Sequence, residues 1–437
     1  MSAGGRGGVR ATLSGLTTRG RSFLAAGIAA AVCAYVLGQD DLLRVGLLLA
    51  ALPLLCAAVL HRTRHRVTAE RGLAPARVPA TGEARVRLRV DNVSRLPTGL
   101  LMLQDRVPYV LGPRPRFVLD RVEPGGHREV SYRVRSDLRG RYRLGPLQVR
   151  LSDPFGMCEL TRSFSAYDTL TVLPRVEPLP PVRFGGEALG HGDGRQRSLA
   201  LAGEDDVIPR GYRHGDDLRR VHWRSTAKHG ELMVRREEQP RRSRCTVLLD
   251  TRAAAYEGAG PGSAFEWAVS GAASVVAHLL ERGFSVRLLT DFGVTVSGEG
   301  GSGHERAAAA ALMMDTLAVI DHSDGADLAG AYDVLRDGHD GLLVAFLGDL
   351  DGGQAASVAR MRRRGGAVAF VLDPDAWTRE PTAVPEPNAP LPQRLRVLRE
   401  GGWTALGVPR GASLEELWRQ ADRERPGPAA LSGKARG

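Results

Sequence analysis

Hydrophobic residues are concentrated in two long runs near the start of the chain, residues 22–38 and 45–60. Each run is close to the lower limit of about 17 residues for a helix that crosses a bilayer. An acidic segment, residues 39–44, separates the runs, and arginines precede the first run and follow the second. By the positive-inside rule, this charge pattern predicts a transmembrane helical hairpin in residues 1–66, with both termini in the cytoplasm. A cleaved signal peptide would explain the first run but not the second, so we expect a multi-pass protein of the inner cell membrane.

From residue 67 to residue 176 the hydrophobic pattern has a period of two. Apolar and charged residues alternate across residues 84–91 and again across residues 130–135, as half-buried strands require. Turn sequences rich in Gly and Pro recur between such segments, which favours a β-sandwich-like domain, immunoglobulin-like or fibronectin-like. One turn, Asp-Pro-Phe-Gly, is expected to place Phe155 in the core. Residues 177–203 lose this periodicity and are rich in Pro, Gly and Arg, which predicts a mobile linker.

Strand-like and helix-like segments alternate through residues 245–423, which predicts an α/β domain with a doubly wound, mostly parallel sheet. The predicted strands are residues 245–249, 285–290, 294–296, 342–347, 367–372 and 403–406. Three capping pairs precede predicted helices: Ser263 with Glu266, Ser302 with Glu305 and Ser413 with Glu416. A three-residue turn joins the second and third strands, which forces that pair to be antiparallel. The Pro-rich segment 373–394 is either a lid or a loose loop, and the tail 424–437 is predicted to be disordered.

The chain of 437 residues has a formal charge of +11, and Lys occurs only at positions 228 and 434. The arginines are scattered over alternate strand positions and are not gathered in one patch, which argues against nucleic-acid binding. The four cysteines show neither a CxxC pair nor zinc-ligand spacing. This pattern is typical of a reducing compartment and needs no disulfide.

The segment of residues 204–244, which precedes the first strand of the α/β domain, combines acids, bases and large aromatic residues. Such a mixture suits a fixed ion-pair network that braces the sheet, or a surface that recognises a partner, and both interpretations stay open. An acid/base pair formed by the two aspartates, or a metal cluster of the nearby histidines, is less consistent with the residue spacing. The candidate site residues are Arg210, Tyr212, Gly215, Asp216, Asp217, Trp223, Arg224 and Lys228.

This segment resembles the signature of a bacterial domain-of-unknown-function family, number fifty-eight. The match consists of Arg210-Gly211-Tyr212, Gly215-Asp216, Trp223 and Ala227-Lys228. The resemblance implies a membrane-anchored protein with a von Willebrand factor A-like α/β domain. It also implies a protein partner, a MoxR-type AAA+ ATPase, with roles in envelope maintenance or the assembly of complexes.

A von Willebrand factor A-type domain holds a divalent metal through an Asp-x-Ser-x-Ser motif after its first strand. Here the motif reads Asp-Thr-Arg-Ala-Ala from Asp250, so both serines are missing and Arg252 places a positive charge nearby. Asp250 and Asp349 are the remaining candidate metal ligands, and they fit a salt-bridged loop better than the oxygen-rich shell that Mg²⁺ needs. Phosphate loops, HExxH and GxSxG motifs are absent from the sequence. We therefore expect no cofactor, no catalytic residue and no small-molecule substrate.

Together these features predict a membrane-anchored cytoplasmic adaptor or scaffold that binds a protein and is not an enzyme. The alternative is a metal-dependent or acid/base hydrolase at the inner membrane. A third interpretation, a scaffold that acts through its β domain, shares the anatomy of the adaptor.

Overall fold

A computed structural model of the chain describes twelve stretches of residues: 15–63, 67–95, 97–153, 155–182, 209–212, 221, 223–235, 243–298, 303–336, 341–362, 365–377 and 390–424. The chain divides into two compact units, Met1–Leu173 and Pro174–Gly437. The first unit contains the apolar helices and the β domain, and the second contains the signature segment and the α/β domain.

Two antiparallel helices, α1 (Thr18–Leu37) and α2 (Asp40–Thr63), form the expected hairpin. Both are long and apolar enough to cross a membrane. Their backbones approach closely at small residues, since a Cβ added at Gly27 would lie 2.5 Å from the backbone nitrogen of Ala50. The predicted acidic turn is wrong in its extent, because α2 begins at Asp40 and only Gly38 and Gln39 connect the helices. Acids are favourable at a helix N-terminus, which explains why Asp40 joins the helix.

The β domain contains three sheets, and its strands alternate between buried and exposed residues as predicted. Leu88 and its apolar neighbours on the same strand are fully buried. The strands are β1 (Val67–Ala74), β2 (Arg77–Pro79), β3 (Glu83–Asn92), β4 (Leu101–Asp105), β5 (Arg116–Leu119), β6 (His127–Arg135), β7 (Gly140–Leu144), β8 (Leu147–Ser152), β9 (Glu159–Phe164) and β10 (Asp168–Leu173). The sheet orders are β1-β3-β6, β2-β10-β7 and β5-β4-β8-β9.

The expectation that Phe155 fills the core is wrong, because its side chain is 60% exposed. The buried residue of this turn is Asp153, whose carboxylate accepts hydrogen bonds from the backbone N–H groups of Phe155 (3.1 Å) and Cys158 (2.5 Å). The hydrogen-bonding needs of the buried turn backbone are thus met by the aspartate, and the aromatic ring is directed outward.

One buried ion pair joins the three sheets of the β domain. Arg71 on β1 donates from Nε and Nη2 to the two carboxylate oxygens of Asp105 on β4, at 2.9 and 2.6 Å. It also donates to Asp168 on β10 at 3.1 Å, and the hydroxyl of Tyr132 on β6 donates to Asp105 at 2.6 Å. Burial and the nearby carboxylate of Asp105 raise the pKa of Tyr132 well above its usual value, so this hydroxyl remains a donor.

The second unit begins with a small pair of strands, β11 (Pro209–Gly211) and β12 (Met233–Arg235). The strands of the α/β domain are β13 (Arg244–Leu249), β14 (Ser285–Thr290), β15 (Thr295–Gly298), β16 (Leu342–Leu347), β17 (Ala367–Leu372) and β18 (Thr404–Val408). They form a six-stranded sheet in the order β15-β14-β13-β16-β17-β18. All pairs are parallel except β14 with β15, as the short turn between them predicts. The helices of this unit are α3 (Trp223–His229), α4 (Ala264–Glu281), α5 (Gly303–Val319), α6 (Ala329–Arg336), α7 (Gly352–Met361), α8 (Pro374–Trp377), α9 (Leu391–Glu400) and α10 (Leu414–Arg423).

The capping predictions have different outcomes. Ser263 caps α4 by accepting a hydrogen bond from the backbone N–H of Glu266 at 3.3 Å, as expected. Ser413 precedes α10, but its side chain makes no capping hydrogen bond, and Ser302 lies outside the described residues. The helix α8 lies within the Pro-rich segment 373–394, for which a lid or a loose loop was expected, and α9 begins in it, with Pro390 and Pro392 at N-terminal positions where proline suits a helix. Residues 378–389 of this segment lie outside the described residues.

The first residues of the predicted linker are ordered against α4. Leu179 and Val182 are buried, and the N–H of Glu177 donates to the hydroxyl of Ser274 at 2.9 Å. The apolar residues at positions 179 and 182 thus provide a packing surface, which the high proline content of the segment does not indicate. Residues 183–203 of the linker and residues 425–437 of the tail lie outside the described residues.

We predict that Arg71→Ala lowers the free energy of unfolding of the first unit by about 3–5 kcal/mol, because it leaves Asp105 charged, buried and without its partner. The exposed pair Arg87–Glu129 supplies the control: Arg87→Ala is expected to cost less than about 1 kcal/mol. Urea titration of the full chain in detergent, with pulse labelling of Cys158 read by mass spectrometry, measures this unit alone. Burial, together with the charge of Asp153, raises the pKa of the Cys158 thiol to about 11, so labelling requires opening. Equal costs for the two variants would contradict the prediction.

Candidate functional site

Three adjacent strands of the α/β sheet end at the same edge, and an aspartate follows each of them. Asp250 follows β13, Asp291 follows β14 and Asp349 lies two residues after β16. These strands are neighbours in the order β14-β13-β16. In open parallel sheets, ligands bind outside the carboxyl ends of the strands, so this acidic edge is the natural place for a site.

Asp250 is held by a buried arginine that is two residues away in the chain. Nε and Nη2 of Arg252 donate to the two carboxylate oxygens of Asp250, at 2.9 and 2.8 Å. The backbone N–H groups of Arg252 and Gly348 each donate to the same carboxylate at 3.2 Å. Both oxygens of Asp250 therefore already accept two N–H donors, which satisfies a carboxylate's four acceptor positions.

Arg252 links two of the strand ends. Besides its fork on Asp250, its Nη2 donates to the backbone carbonyl of Asp349 at 3.0 Å. Burial alone would lower the pKa of Arg252, but hydrogen bonds to Asp250 and the charge of that carboxylate outweigh burial and raise it. The guanidinium thus remains a permanent cation between the first and fourth strands of the domain.

The carboxylate of Asp349 pairs with a second arginine. Nη1 of Arg394, a buried residue on α9, donates to Oδ1 of Asp349. Arg394 is not among the residues predicted for the site, because it lies in the Pro-rich segment, far from Asp349 along the chain. Only the fold brings α9 to this edge.

Asp291 is satisfied by neutral donors. Its Oδ1 accepts hydrogen bonds from the backbone N–H and the hydroxyl of Thr251, at 3.0 and 2.5 Å, and its Oδ2 accepts from the hydroxyl of Ser323 at 2.7 Å. Backbone hydrogen bonds also join Ser323 to the loop after β13, since its N–H donates to the carbonyl of Thr251 at 2.7 Å. Sequence reasoning missed Asp291 as a site residue, although its position after a strand was a usable signal.

The acidic edge is therefore a closed network of two ion pairs and neutral hydrogen bonds. The salt-bridged loop expected at Asp250 and Arg252 is present, and the candidate ligands Asp250 and Asp349 each bind an arginine. Among the described residues, no group of three or more His, Cys, Asp or Glu is placed to hold a metal ion. A divalent cation at Asp250 would have to displace a guanidinium that already neutralises this carboxylate.

The signature segment forms a separate small element. Strands β11 (Pro209–Gly211) and β12 (Met233–Arg235) pair antiparallel, with Arg210 opposite Val234. The N–H of Tyr212 donates to the carbonyl of Leu232 at 2.7 Å and extends this pairing. Within the loop of this hairpin, α3 is tied to β12 by the hydrogen bond from the N–H of Met233 to the hydroxyl of Thr226, at 3.0 Å.

The helix α3 presents large side chains to solvent. Trp223 is 71% exposed, and Arg224 and Lys228 on the same helix are exposed as well. Three other predicted site residues, Gly215, Asp216 and Asp217, lie outside the described residues, as do His214 and His222. Of the predicted signature residues, the structure thus places Arg210 and Tyr212 in the small hairpin of β11 and β12. It places Trp223, Arg224 and Lys228 on α3, which lies in the loop of that hairpin.

We predict that Arg252→Ala lowers the free energy of unfolding of the second unit by about 3–5 kcal/mol, because Asp250 is left buried without its cation. Arg252→Lys keeps the charge but cannot contact both oxygens, so an intermediate cost is expected. Arg396→Ala removes the exposed pair with Glu400 and is the matched control, with a cost below about 1 kcal/mol. Urea titration followed by tryptophan fluorescence reports on this unit, since all five tryptophans lie in it. Arg252→Ala and Arg396→Ala variants of equal stability would refute the ion-pair account.

A second prediction concerns metal binding. Because the acceptor positions of Asp250 are filled by N–H donors, calorimetric titration of the full chain with Mg²⁺, Mn²⁺ or Ca²⁺ should give the same heats for wild type and Asp250→Asn. Saturable micromolar binding that Asp250→Asn abolishes would instead favour the metal-dependent hydrolase.

Comparison with known proteins gives one family match to part of the chain and solved structures of low similarity. No curated protein matches the chain. Among solved structures, the CARDB domain of the PF1109 protein from Pyrococcus furiosus is 14% identical, over 24% of this chain and 87% of that chain, with a TM-score of 0.19. A FixG-related protein from Vibrio parahaemolyticus is 12% identical, over 24% of this chain and 96% of that chain, with a TM-score of 0.17. The model of a family described as a protein of unknown function, DUF58, matches residues 209–374, which include Trp223 and Asp250, so this region of the chain is a DUF58 region.

Proposed function

We propose that this protein is a membrane-anchored adaptor that binds another protein on the cytoplasmic side of the membrane through its signature segment. The hairpin of α1 and α2 would hold the chain in the bilayer with both termini in the cytoplasm. The second unit would carry the recognition surface, and the protein would perform no chemistry itself.

The observation that carries this proposal is the exposed position of Trp223 on α3. Tryptophan is among the residues that dominate binding energy at protein interfaces, and arginine is another. Leaving a side chain of this size 71% exposed is unfavourable unless a partner covers it. Arg224 lies beside it on the same helix, and both belong to the region that the DUF58 match covers.

The closed network at the sheet edge supports a binding role over catalysis. A general acid or base needs a carboxyl group that can reach a substrate proton. Asp250 is fully buried and Asp349 is paired with Arg394. Asp291 is buried as well and is satisfied by hydroxyl and backbone donors. The role of the charged residues at this edge would therefore be structural, fixing the loops after β13 and β16.

For the partner we propose the class that the family resemblance implies, a MoxR-type AAA+ ATPase acting in an envelope-related or complex-assembly process. The mostly parallel sheet with a single antiparallel edge strand is consistent with a von Willebrand factor A-like binding domain. In that arrangement, α3 and the hairpin of β11 and β12 would supply the contact residues.

The expected outcome is that Trp223→Ala raises the Kd for a purified MoxR-type ATPase from the same cell at least about 30-fold, the effect of losing about 2 kcal/mol at an interface hot spot. Microscale thermophoresis with the detergent-solubilised full chain measures this Kd. Leu312→Ala is the matched control, because Leu312 on α5 in the same unit is also exposed, at 56%. It should leave the Kd within about twofold.

Two outcomes would count against the proposal. Equal affinity of wild type and Trp223→Ala, with the tryptophan-variant chain folded, would remove the signature segment as the contact site. Loss of binding on substitution of exposed β-domain residues, with tolerance of Trp223→Ala, would favour the scaffold that acts through its β domain.

A further inference from the structure

The turn between β8 and β9 is fastened to the first apolar helix. We call residues 153 and 155–158 the Phe155 loop. The N–H of Thr17, the N-cap of α1, donates to the carbonyl of Met157 at 2.9 Å, and its hydroxyl donates to the carbonyl of Gly156 at 2.7 Å. The N–H of Glu159 donates to the carbonyl of Gly15 at 2.8 Å. The loop therefore has a fixed position at the start of the hairpin.

The contact continues along the first turn of α1 and onto α2. A Cβ added at Gly20 would lie 2.2 Å from the carbonyl oxygen of Met157, so the loop lies directly on the helix backbone. The thiol of Cys158 donates to the carbonyl of Pro53 on α2 at 3.5 Å. Leu60 of α2 belongs to the same hydrophobic core as the β domain. The loop thus contacts both helices.

Exposed apolar side chains gather at this end of the β domain. Phe155 is the largest of them, and Arg19 approaches the same loop, with its Nη1 3.8 Å from the Cβ position of Gly156. Val93 follows Asn92, which pairs with Val67 at the start of the first strand after the hairpin. The carbonyl of Leu100 accepts a hydrogen bond from the N–H of Ser152 at 3.0 Å, next to the loop. Val93 and Leu100 are both exposed.

Thr17 and Gly20, which contact the Phe155 loop, lie just before the first apolar run of the sequence. The run begins at residue 22, two residues after Gly20, and arginines precede it at positions 19 and 21. If α1 crosses a bilayer, its first apolar turn enters the hydrocarbon and the arginines lie among the headgroups. A loop fixed at Thr17 and Gly20 then lies at the same depth. Apolar and aromatic side chains on such a surface partition into the boundary between headgroups and acyl chains.

We propose that the Phe155 loop is a membrane-contacting loop, whose Phe155 ring inserts into the lipid headgroup region with Val93 and Leu100 beside it. This contact would hold the β domain against the bilayer surface. The inference rests on the membrane anchorage of the proposed function and is independent of the protein partner.

The test adds one tryptophan per variant, at three different sites of the full chain, beside the five native tryptophans. Each variant is reconstituted into vesicles of phosphatidylcholine and phosphatidylglycerol. Phe155→Trp reports on the loop. Leu48→Trp, at an exposed position within α2, is the control for helix insertion. Tyr109→Trp is the water-facing control, since Tyr109 is 91% exposed and lines a surface cleft together with Glu83. Glu83 is the first residue of β3, whereas Asn92, which precedes Val93, is its last. Quenching by brominated lipids is measured for each variant, with the wild-type signal subtracted.

We expect Phe155→Trp to be quenched at least twofold more strongly by bromine near the headgroups than by bromine deep in the acyl chains. Leu48→Trp should show the reverse order, and Tyr109→Trp should not be quenched. Quenching of Leu48→Trp without quenching of Phe155→Trp would overturn the loop contact and leave the membrane anchor intact. If Leu48→Trp is also unquenched, both the loop contact and the anchor are wrong.

Discussion

In each compact unit, one arginine neutralises a buried aspartate at the end of a strand. Arg71 holds Asp105 in the β domain, and Arg252 holds Asp250 in the α/β domain. A buried carboxylate without a partner would destabilise either unit, because the desolvation of a charge costs several kcal/mol. The planar guanidinium suits both places, since it contacts both carboxylate oxygens at once and has further N–H groups for backbone carbonyls. Through these contacts Arg71 joins three sheets and Arg252 joins two strand ends, so the geometry of both domains depends on them.

The elements that the sequence predicts well are those whose signal is local. The strand bounds 342–347 and 367–372 agree with the structure, because continuous apolar runs bounded by glycines and polar residues mark buried strands. The antiparallel pair of β14 and β15 follows from the length of one turn. The ion pair between Asp250 and Arg252 is also predictable from the sequence, since the two residues lie close in the chain and their charges are opposite.

The features that the sequence does not predict depend on distant contacts. Nothing in the Pro-rich segment indicates that Arg394 reaches Asp349, because that contact exists only after α9 packs near β18. The orientation of Phe155 depends on Asp153 and on the docking of the loop against Thr17, which lies far away in the chain. The hydrophobic side chain of Phe155 therefore favours a core position on sequence grounds alone, whereas tertiary contacts direct it toward solvent.

The aspartates at the sheet edge already have hydrogen-bond or ion-pair partners. The exposed surfaces of the protein are therefore better candidates for its function than this edge. Each unit exposes a large aromatic side chain close to an arginine: Phe155 near Arg19 in the first and Trp223 beside Arg224 in the second. Both aromatics lie on short elements whose backbone is fixed by hydrogen bonds, to Thr17 in one case and between Met233 and Thr226 in the other. Because little conformational freedom remains to be lost, such preorganised side chains bind with a smaller entropic cost. The first surface suits a lipid interface, because the apolar helices start beside it. The second lies in the other unit, on the segment that we propose as the contact site for a protein partner.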